Sequence, residues 1–174
     1  MSNIGRRVIQ IPKGTVLSFD ENERILKVEG QLDTFYHKID QQINIFLEDS
    51  KLKIESLNKA LQGTQNALIT NLIEGATKGF KVTLKLVGIG FRASLTGKLL
   101  TLKLGYSHDI QFEIPTGIYV SCPKVDTIIL FATDKVFLTQ VATKIRDFRK
   151  PDSYKGKGII FEGQQISLKE GKKK

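Results

Sequence analysis

The spacing of apolar residues divides the chain into two successive sets of strands, each followed by one helix. In the first half, alternating or β-branched runs predict strands at 8–12, 16–19, 24–28, 34–39, 43–47 and 52–56. The polar residues Asp20–Glu23 separate two of these runs and predict a hairpin loop. From Asn58 the apolar spacing becomes helical, with Asn58 as the N-cap and Gly79 as the stop.

The second half repeats this plan. It predicts strands at 82–87, 91–95, 99–104, 110–114, 118–122 and 127–132, followed by a helix from Asp134 to Phe148 that ends before Pro151. We therefore expect an α+β fold of two similar small domains, each an antiparallel or mixed sheet packed against one long helix, with a basic C-terminal tail. The predicted boundaries are 1–81 and 82–150 for the two domains and 151–174 for a basic, RNA-binding extension. Because the second helix is nearly complete at Phe148, we expect a chain truncated there to stay folded.

Composition argues against several classes of protein. Hydrophobic residues make up 40% of the 174 residues, which is enough to build packed cores. No apolar run approaches the roughly 20 residues that span a bilayer, so we expect no membrane partner. The first residues lack the apolar core of a secretory signal and leave little room for a cleaved transit peptide before the first strand. With Cys122 as its one cysteine, the chain forms no internal disulfide.

The net charge of +9 is concentrated at the two ends of the chain. Residues 1–13 carry Arg6, Arg7 and Lys13 without an acid, and residues 144–174 carry ten basic residues against four acids. The residues between them are neutral as a group. A neutral body with basic ends is typical of a protein that binds a polyanion, whereas the alternative, charge for solubility alone, does not require such segregation.

Few residues offer catalytic chemistry. His37 and His108 are far apart in the sequence, and Cys122 has no ligand at metal-site spacing, so no metal site is predicted. Gly88-Ile89-Gly90 follows a strand, as a dinucleotide-binding loop would, but strand-like rather than helical residues come next. We interpret these glycines as a bulge or tight bend, and Arg92 beside them as either an RNA contact or a simply exposed side chain. We expect no enzyme, no cofactor and no small-molecule substrate.

The segment after the second helix has the chemistry of an RNA contact. In Tyr154-Lys155-Gly156-Lys157-Gly158 the lysines supply cations, the glycines let the backbone approach a ribose-phosphate, and the tyrosine offers a ring to an unstacked base. The alternative is a flexible linker with surface lysines. The neighbouring charges favour RNA, and they are Arg146, Arg149, Lys150, Lys172, Lys173 and Lys174.

Several motifs, spread along the whole chain, carry a resemblance. They include Ile4-Gly5-Arg6-Arg7, Leu61-Gln62-Gly63-Thr64, Leu86-Val87-Gly88-Ile89-Gly90-Phe91-Arg92-Ala93, Leu104-Gly105-Tyr106-Ser107-His108 and Pro151-Asp152-Ser153-Tyr154-Lys155-Gly156-Lys157-Gly158-Ile159. In these motifs the chain resembles the family of large-subunit ribosomal protein six, of the bacterial and organellar type. The Tyr-Lys-Gly-Lys-Gly segment is the most specific of them.

The resemblance implies two α/β domains on the large ribosomal subunit, beside neighbouring large-subunit ribosomal proteins. It implies contacts with large-subunit rRNA near the sarcin–ricin loop and the base of the factor-binding stalk, made mostly by the second domain and the tail. The chain departs from the family at Gln62, where a His is common, and at Asn66, where a basic residue is common. These departures weaken the case for an RNA contact from the first helix.

The sequence and the resemblance together give one set of candidate rRNA-binding residues. They are Arg6, Arg7, Arg92, His108, Arg146, Arg149, Lys150, Tyr154, Lys155, Gly156, Lys157, Gly158, Lys172, Lys173 and Lys174. We expect a structural constituent of the large ribosomal subunit, and the alternative is a free RNA-binding regulator or assembly factor with the same surface. A composition rich in Ile, Lys and Asn favours a mitochondrial ribosome, with a bacterial cytoplasm or a plastid as alternatives.

Overall fold

The chain divides into two compact units, Met1–Gly79 and Phe80–Lys174. The computed structural model describes residues 8–48 and 51–170. In each unit the described residues form antiparallel strands and one helix, which confirms the predicted α+β fold class. The boundary between the units falls where the first helix stops and the next strand begins.

The first unit packs one helix against strands from two small sheets. Its elements are β1 Ile9–Gln10, β2 Val16–Asp20, β3 Ile25–Glu29, β4 Thr34–Lys38, β5 Ile43–Glu48, β6 Lys51–Ser56 and α1 Lys59–Thr77. Antiparallel pairing gives the strand orders β1-β6-β5 and β2-β3-β4. The helix contacts β3, β4 and β6, and Leu26, Ile43, Leu52 and Ile69 are fully buried in the core of this unit.

Local capping sets the ends of α1 at the predicted residues. The Asn58 side chain accepts hydrogen bonds from the backbone N–H groups of Ala60 at 3.1 Å and Leu61 at 3.4 Å, two donors that the first turn leaves without partners. At the other end Gly79 adopts a φ of +68°, and its N–H donates to the carbonyls of Glu74 and Gly75. The predicted N-cap and the predicted stop are both confirmed.

The second unit has the same general plan with a larger sheet. Its elements are β7 Phe80–Val87, β8 Arg92–Thr96, β9 Leu99–Lys103, β10 Ile110–Glu113, β11 Tyr119–Lys124, β12 Thr127–Ala132, α2 Lys135–Asp147 and β13 Gly158–Phe161. The strand orders are β11-β12-β7-β13 and β10-β9-β8. Asp134, the predicted start of the second helix, is the N-cap of α2, since its carboxylate accepts from the N–H groups of Val136 and Phe137. The helix packs on β7, β12 and β13, and Leu84, Leu130 and Leu138 are fully buried in the core of this unit.

The strands of each unit form two sheets, although the sequence predicted one. In the second unit a tight turn separates the sheets, because the N–H of Phe91 donates to the carbonyl of Gly88 and the chain leaves β7 to begin β8. This turn confirms the predicted bend at Gly88–Gly90. A second irregularity lies in β11, whose register with β12 shifts between Ser121 and Lys124. Pro123 lies within that stretch and has no N–H to donate.

The segment after α2 returns to the sheet, which the predicted extension from Pro151 did not include. Strand β13 pairs antiparallel with β7, with Gly158 opposite Val87 and Phe161 opposite Leu84. Ile159 is fully buried in the core. The sequence suggested that a chain truncated after Phe148 stays folded. Because such a chain would lose this edge strand and a core side chain, we expect it instead to be destabilised. The apolar run at 158–161 was the sequence signal for the missed strand.

We predict that Ile159→Ala lowers the free energy of unfolding of the second unit by about 2–5 kcal/mol, because a fully buried aliphatic side chain is truncated. Ile89→Ala removes the same atoms from a side chain that is 96% exposed, so it should change this free energy by less than about 0.5 kcal/mol. Urea denaturation followed by circular dichroism measures both variants. If Ile159→Ala lowered the free energy of unfolding as little as Ile89→Ala, β13 would contribute little to the core.

Candidate nucleic-acid interface

The excess positive charge of the chain belongs to the second unit. The first unit, 1–79, has ten basic and ten acidic residues, whereas the second, 80–174, has 17 basic and eight acidic residues. The basic residues of segment 1–13 are therefore balanced by acids elsewhere in their own unit. A polyanion would be attracted mainly to the second unit. The positions of the basic side chains in that unit determine which part of its surface the polyanion approaches.

The C-terminal end of α2 carries three of the candidate residues. Arg146 lies in the last turn, Phe148 is the C-cap, and Arg149 and Lys150 follow directly. The carbonyl end of a helix has a partial negative charge, so cations are favoured there. Asp147 lies among them, 3.5 Å from the guanidinium of Arg146 and 4.0 Å from the ammonium of Lys150.

Aromatic rings support the two arginines of this helix end. The guanidinium carbon of Arg149 lies 4.8 Å from the centroid of the Tyr106 ring, and that of Arg146 lies 5.4 Å from the centroid of Phe161. The Tyr106 hydroxyl also donates a hydrogen bond to the carbonyl of Phe148 at 3.0 Å. Neither aromatic residue was among the sequence candidates. The sequence feature that could have pointed to Tyr106 is its position two residues before the candidate His108, in the same loop.

The loop after α2 is a hydrogen-bonded turn, which argues against the flexible-linker alternative. The Asp152 carboxylate accepts from the backbone N–H groups of Tyr154 and Lys155, each at 3.2 Å. The Gly156 N–H donates to the carbonyl of Asp152, and the Asp152 N–H donates to the carbonyl of Lys157, both at 2.9 Å. These bonds fix the backbone while the side chains of Tyr154, Lys155 and Lys157 stay exposed.

Both glycines of this loop have a reason within the fold itself. Gly156 adopts a φ of +66°, which side-chain-bearing residues rarely adopt. Gly158 is buried, and a Cβ added to it would lie 2.6 Å from the Cα of Pro151 and 2.7 Å from the carbonyl oxygen of Lys150. The helix end therefore packs directly on the backbone of Gly158. The sequence assigned both glycines to close RNA approach, and the structure gives each of them an intramolecular role.

Two more loops reach the same end of the second unit. The Phe91 ring lies against the positions where a Cβ on Gly88 or Gly105 would be, at 2.8 and 3.3 Å, so the loops at 88–91 and 105–109 are adjacent. Arg92 begins β8 opposite Lys103, and His108 is exposed in the second loop. Through Tyr106 this second loop contacts the end of α2.

The described candidates thus lie on loops and a helix end that meet. We call this surface the basic end. It consists of eight of the candidates, Arg92, His108, Arg146, Arg149, Lys150, Tyr154, Lys155 and Lys157, together with Tyr106, which was not a candidate. Of the other candidates, Gly156 and Gly158 lie in the loop after α2, and Arg6, Arg7, Lys172, Lys173 and Lys174 lie outside the described residues.

Gln62 and Asn66, the two positions at which the chain departs from the family it resembles, take part in the internal packing of the first unit. Asn66 is 3% exposed, and the Gln62 side chain donates to the carbonyl of Ile54 at 2.7 Å. Buried or internally bonded side chains are not available to an external phosphate. This placement agrees with the expectation that α1 offers little to RNA.

The structure gives no support, within the described residues, for a nucleotide-binding loop or a metal site. Gly88–Gly90 leads into strand β8, and the turn at 154–157 leads into β13, so neither delivers a helix N-terminus to a phosphate. Across 8–48 and 51–170, no group of three or more His, Cys, Asp or Glu side chains is placed to hold a metal ion. Burial raises the pKa of the Cys122 thiol, which disfavours the reactive thiolate. In the same ranges, no helix is both long and apolar enough to cross a membrane.

Comparison with known proteins identifies the family. The sequence profile described as "Ribosomal protein L6" matches residues 87–162, a range that holds every residue of the basic end. Large ribosomal subunit protein uL6 of Persephonella marina is 44% identical to this chain over 99% of the chain and 98% of its own length. The chain belongs to the ribosomal protein L6 family.

Other L6 family members cover the chain just as completely. Large ribosomal subunit protein uL6 of Zymomonas mobilis is 40% identical over the full length of both chains. The uL6 protein of Mesoplasma florum is 41% identical over 99% of this chain and 98% of its own. The resemblance stated from the motifs is confirmed, and as a member of a family of structural ribosomal proteins the chain is not an enzyme.

We predict opposite effects for two glycine substitutions in this L6 family member. Gly158→Ala should destabilise it by at least about 1–3 kcal/mol, because the new methyl group meets backbone atoms of Lys150 and Pro151. Gly63→Ala, inside α1 with nothing within 4 Å of the added Cβ, should stabilise it by up to about 1 kcal/mol. Thermal or urea unfolding distinguishes the two. A neutral Gly158→Ala would show that the helix end does not rest on this backbone.

Proposed function

We propose that this protein is a structural constituent of the large ribosomal subunit whose basic end binds large-subunit rRNA. The supporting observation is that the basic and aromatic candidates of the second unit, separated by up to 65 residues, converge on one surface through the Tyr106–Phe148 and Gly158–Val87 contacts. The location, near the sarcin–ricin loop and the base of the factor-binding stalk, rests on the resemblance to the family. Neighbouring large-subunit ribosomal proteins are the further partners that we propose.

The chemistry of the basic end suits a folded RNA. Lysines and arginines gain affinity by displacing counterions from phosphates, and arginine adds a planar set of donors that matches phosphate oxygens. Tyr154, which is 60% exposed beside Lys155, has a ring face available to an unstacked base. Because the Asp152 bonds fix the turn, little conformational freedom is lost when RNA binds it.

Sedimentation separates a ribosomal constituent from a free RNA-binding regulator or assembly factor. A constituent should migrate with mature large subunits after a wash at high salt, because tertiary RNA contacts hold it in the particle. A regulator or assembly factor should be released into the soluble fraction or be found only with precursor particles. The second distribution would reject the structural assignment while leaving RNA binding intact.

We predict that the full chain with Lys155→Ala and Lys157→Ala binds a large-subunit rRNA fragment containing the sarcin–ricin loop more weakly and with a shallower salt dependence. Each phosphate that the variant no longer neutralises should reduce the slope of log affinity against log salt by roughly 0.7 to 0.9. Filter binding or fluorescence anisotropy at several salt concentrations measures this slope.

The matched control for this test is the double variant Lys98→Ala and Lys135→Ala. It removes the same charge from the same unit, but Lys98 lies in the turn at the far end of the β8–β9 hairpin from Arg92. Lys135 begins α2, roughly 14–18 Å from the last turn at 1.5 Å per residue. Its salt slope should match that of the unchanged protein. If both double variants reduced the salt slope equally, the net charge of the second unit, and not the location of its cations at the basic end, would determine binding.

A mitochondrial ribosome is our proposal for the compartment. The chain has 21 lysines against six arginines and 20 isoleucines, a bias that we associate with organelle-encoded proteins. The uL6 relatives named above come from bacteria, so a bacterial cytoplasm is the main alternative and a plastid another. Locating the gene on an organelle genome or on a bacterial chromosome decides among them.

A further inference from the structure

The environment of Arg149 differs from that of the other cations at the helix end. Asp147 lies within 4.0 Å of both Arg146 and Lys150. Of the residues that the structure describes, no carboxylate lies within ion-pairing distance of Arg149. Its guanidinium instead lies on the ring of Tyr106. The charge of Arg149 is therefore held in place by a neutral ring and stays available to an external anion.

The geometry points to Tyr106 as a positioning residue that presents Arg149 to a phosphate of the RNA. This inference rests on the proposed function. It goes further by assigning a specific role to an aromatic residue that is not itself charged, and by naming Arg149 as the residue on which it acts.

The Tyr106 hydroxyl fixes the ring relative to the helix. It donates to the carbonyl of Phe148, the C-cap residue of α2, across a separation of 42 residues in the sequence. This bond gives a partner to one of the carbonyls that a helix end leaves unsatisfied. It also places the ring beside the residue that directly follows the cap, which is Arg149. The hydroxyl is thereby engaged within the protein.

A guanidinium held over an aromatic ring is restrained before it meets a phosphate. An arginine on a flexible chain end samples many rotamers, and ordering them on binding opposes affinity. A ring face beside the guanidinium carbon limits the positions that the group samples, while its N–H groups remain available for hydrogen bonds. Two such N–H groups can donate side by side to the oxygens of one phosphate. The ring thus lowers the cost of forming the contact and does not need to touch RNA itself.

A double-mutant cycle on the full chain tests this role, with affinity for the rRNA fragment measured at fixed salt. Arg149→Ala should weaken binding by roughly tenfold, as expected for the loss of charge-assisted hydrogen bonds. Tyr106→Leu, which removes the ring and the hydroxyl, should weaken it by roughly threefold to tenfold. In the Arg149→Ala background, Tyr106→Leu should have almost no further effect, because the side chain that it positions is gone.

Two further variants keep the test independent of folding. Tyr106→Phe keeps the ring and loses the bond to Phe148, so it should give a smaller loss that again vanishes without Arg149. If Tyr106→Leu fails to fold, Tyr106→Phe completes the cycle. Tyr119→Leu is the matched control, since Tyr119 is a 74% exposed tyrosine on β11 that contacts Phe131 and lies outside the basic end. It should bind RNA like the unchanged protein.

The possible outcomes separate this inference from the proposed function. Additive losses in the double variant would overturn the positioning role and make Tyr106 a direct RNA contact. Unchanged affinity in both Tyr106 variants would also overturn it. An unchanged affinity in Arg149→Ala, or no specific binding by the unchanged protein, would instead count against the proposed RNA surface itself.

Discussion

The pairing of β13 with β7 is the interaction on which the basic end depends. After α2 the chain turns and returns to the sheet, where Ile159 enters the core and its N–H donates to the carbonyl of Arg149 at 2.9 Å. This return fixes both ends of the 150–157 loop, one at the helix and one at the sheet. Without it, the lysines and Tyr154 would lie on an unattached chain end. A core contact thus determines the geometry of a charged surface.

Concentrating cations on one surface has an electrostatic cost that the fold reduces in several ways. The negative end of the α2 dipole faces Arg146 and the residues that follow it. Asp147 lies between two of the cations, and aromatic rings support the two arginines without adding charge. These surface ion pairs contribute little stability individually. Their main effect is to let like charges remain close together on this surface.

The parts of the fold that were predicted correctly depend on local signals. Asn58 was recognised as an N-cap because a short polar side chain before a helical pattern bonds to the next turn, and Asp134 was recognised as the start of the second helix. The bend at Gly88–Gly90 was recognised because strand-like residues lie on both sides of it. The candidate loop at 154–158 was recognised from its own composition. In each case the residues that determine the structure are neighbours in the sequence.

The parts that were missed depend on contacts between distant residues. Strand β13 pairs with a strand more than 70 residues earlier, so its role was hidden within a segment that resembled a tail. Burial of Gly158 depends on the position of Pro151 in three dimensions, whereas the composition of the loop suggested that the glycine allows close approach to RNA. The contact of Tyr106 with Arg149 joins a loop to a helix end across 43 positions. The sequence around either residue does not predict that the other lies beside it. The division of each unit into two sheets was likewise invisible in the strand pattern.

Residue-level crosslinking between the full chain and large-subunit rRNA tests most directly whether the basic end is the RNA surface. The protein would be irradiated in the intact large subunit, digested, and the crosslinked peptides assigned by mass spectrometry. The account predicts crosslinks concentrated at His108, Tyr154 and Lys155, with few on the β8–β9 turn or on α1. Crosslinks found mainly on the first unit, with the basic end unmodified, would contradict it.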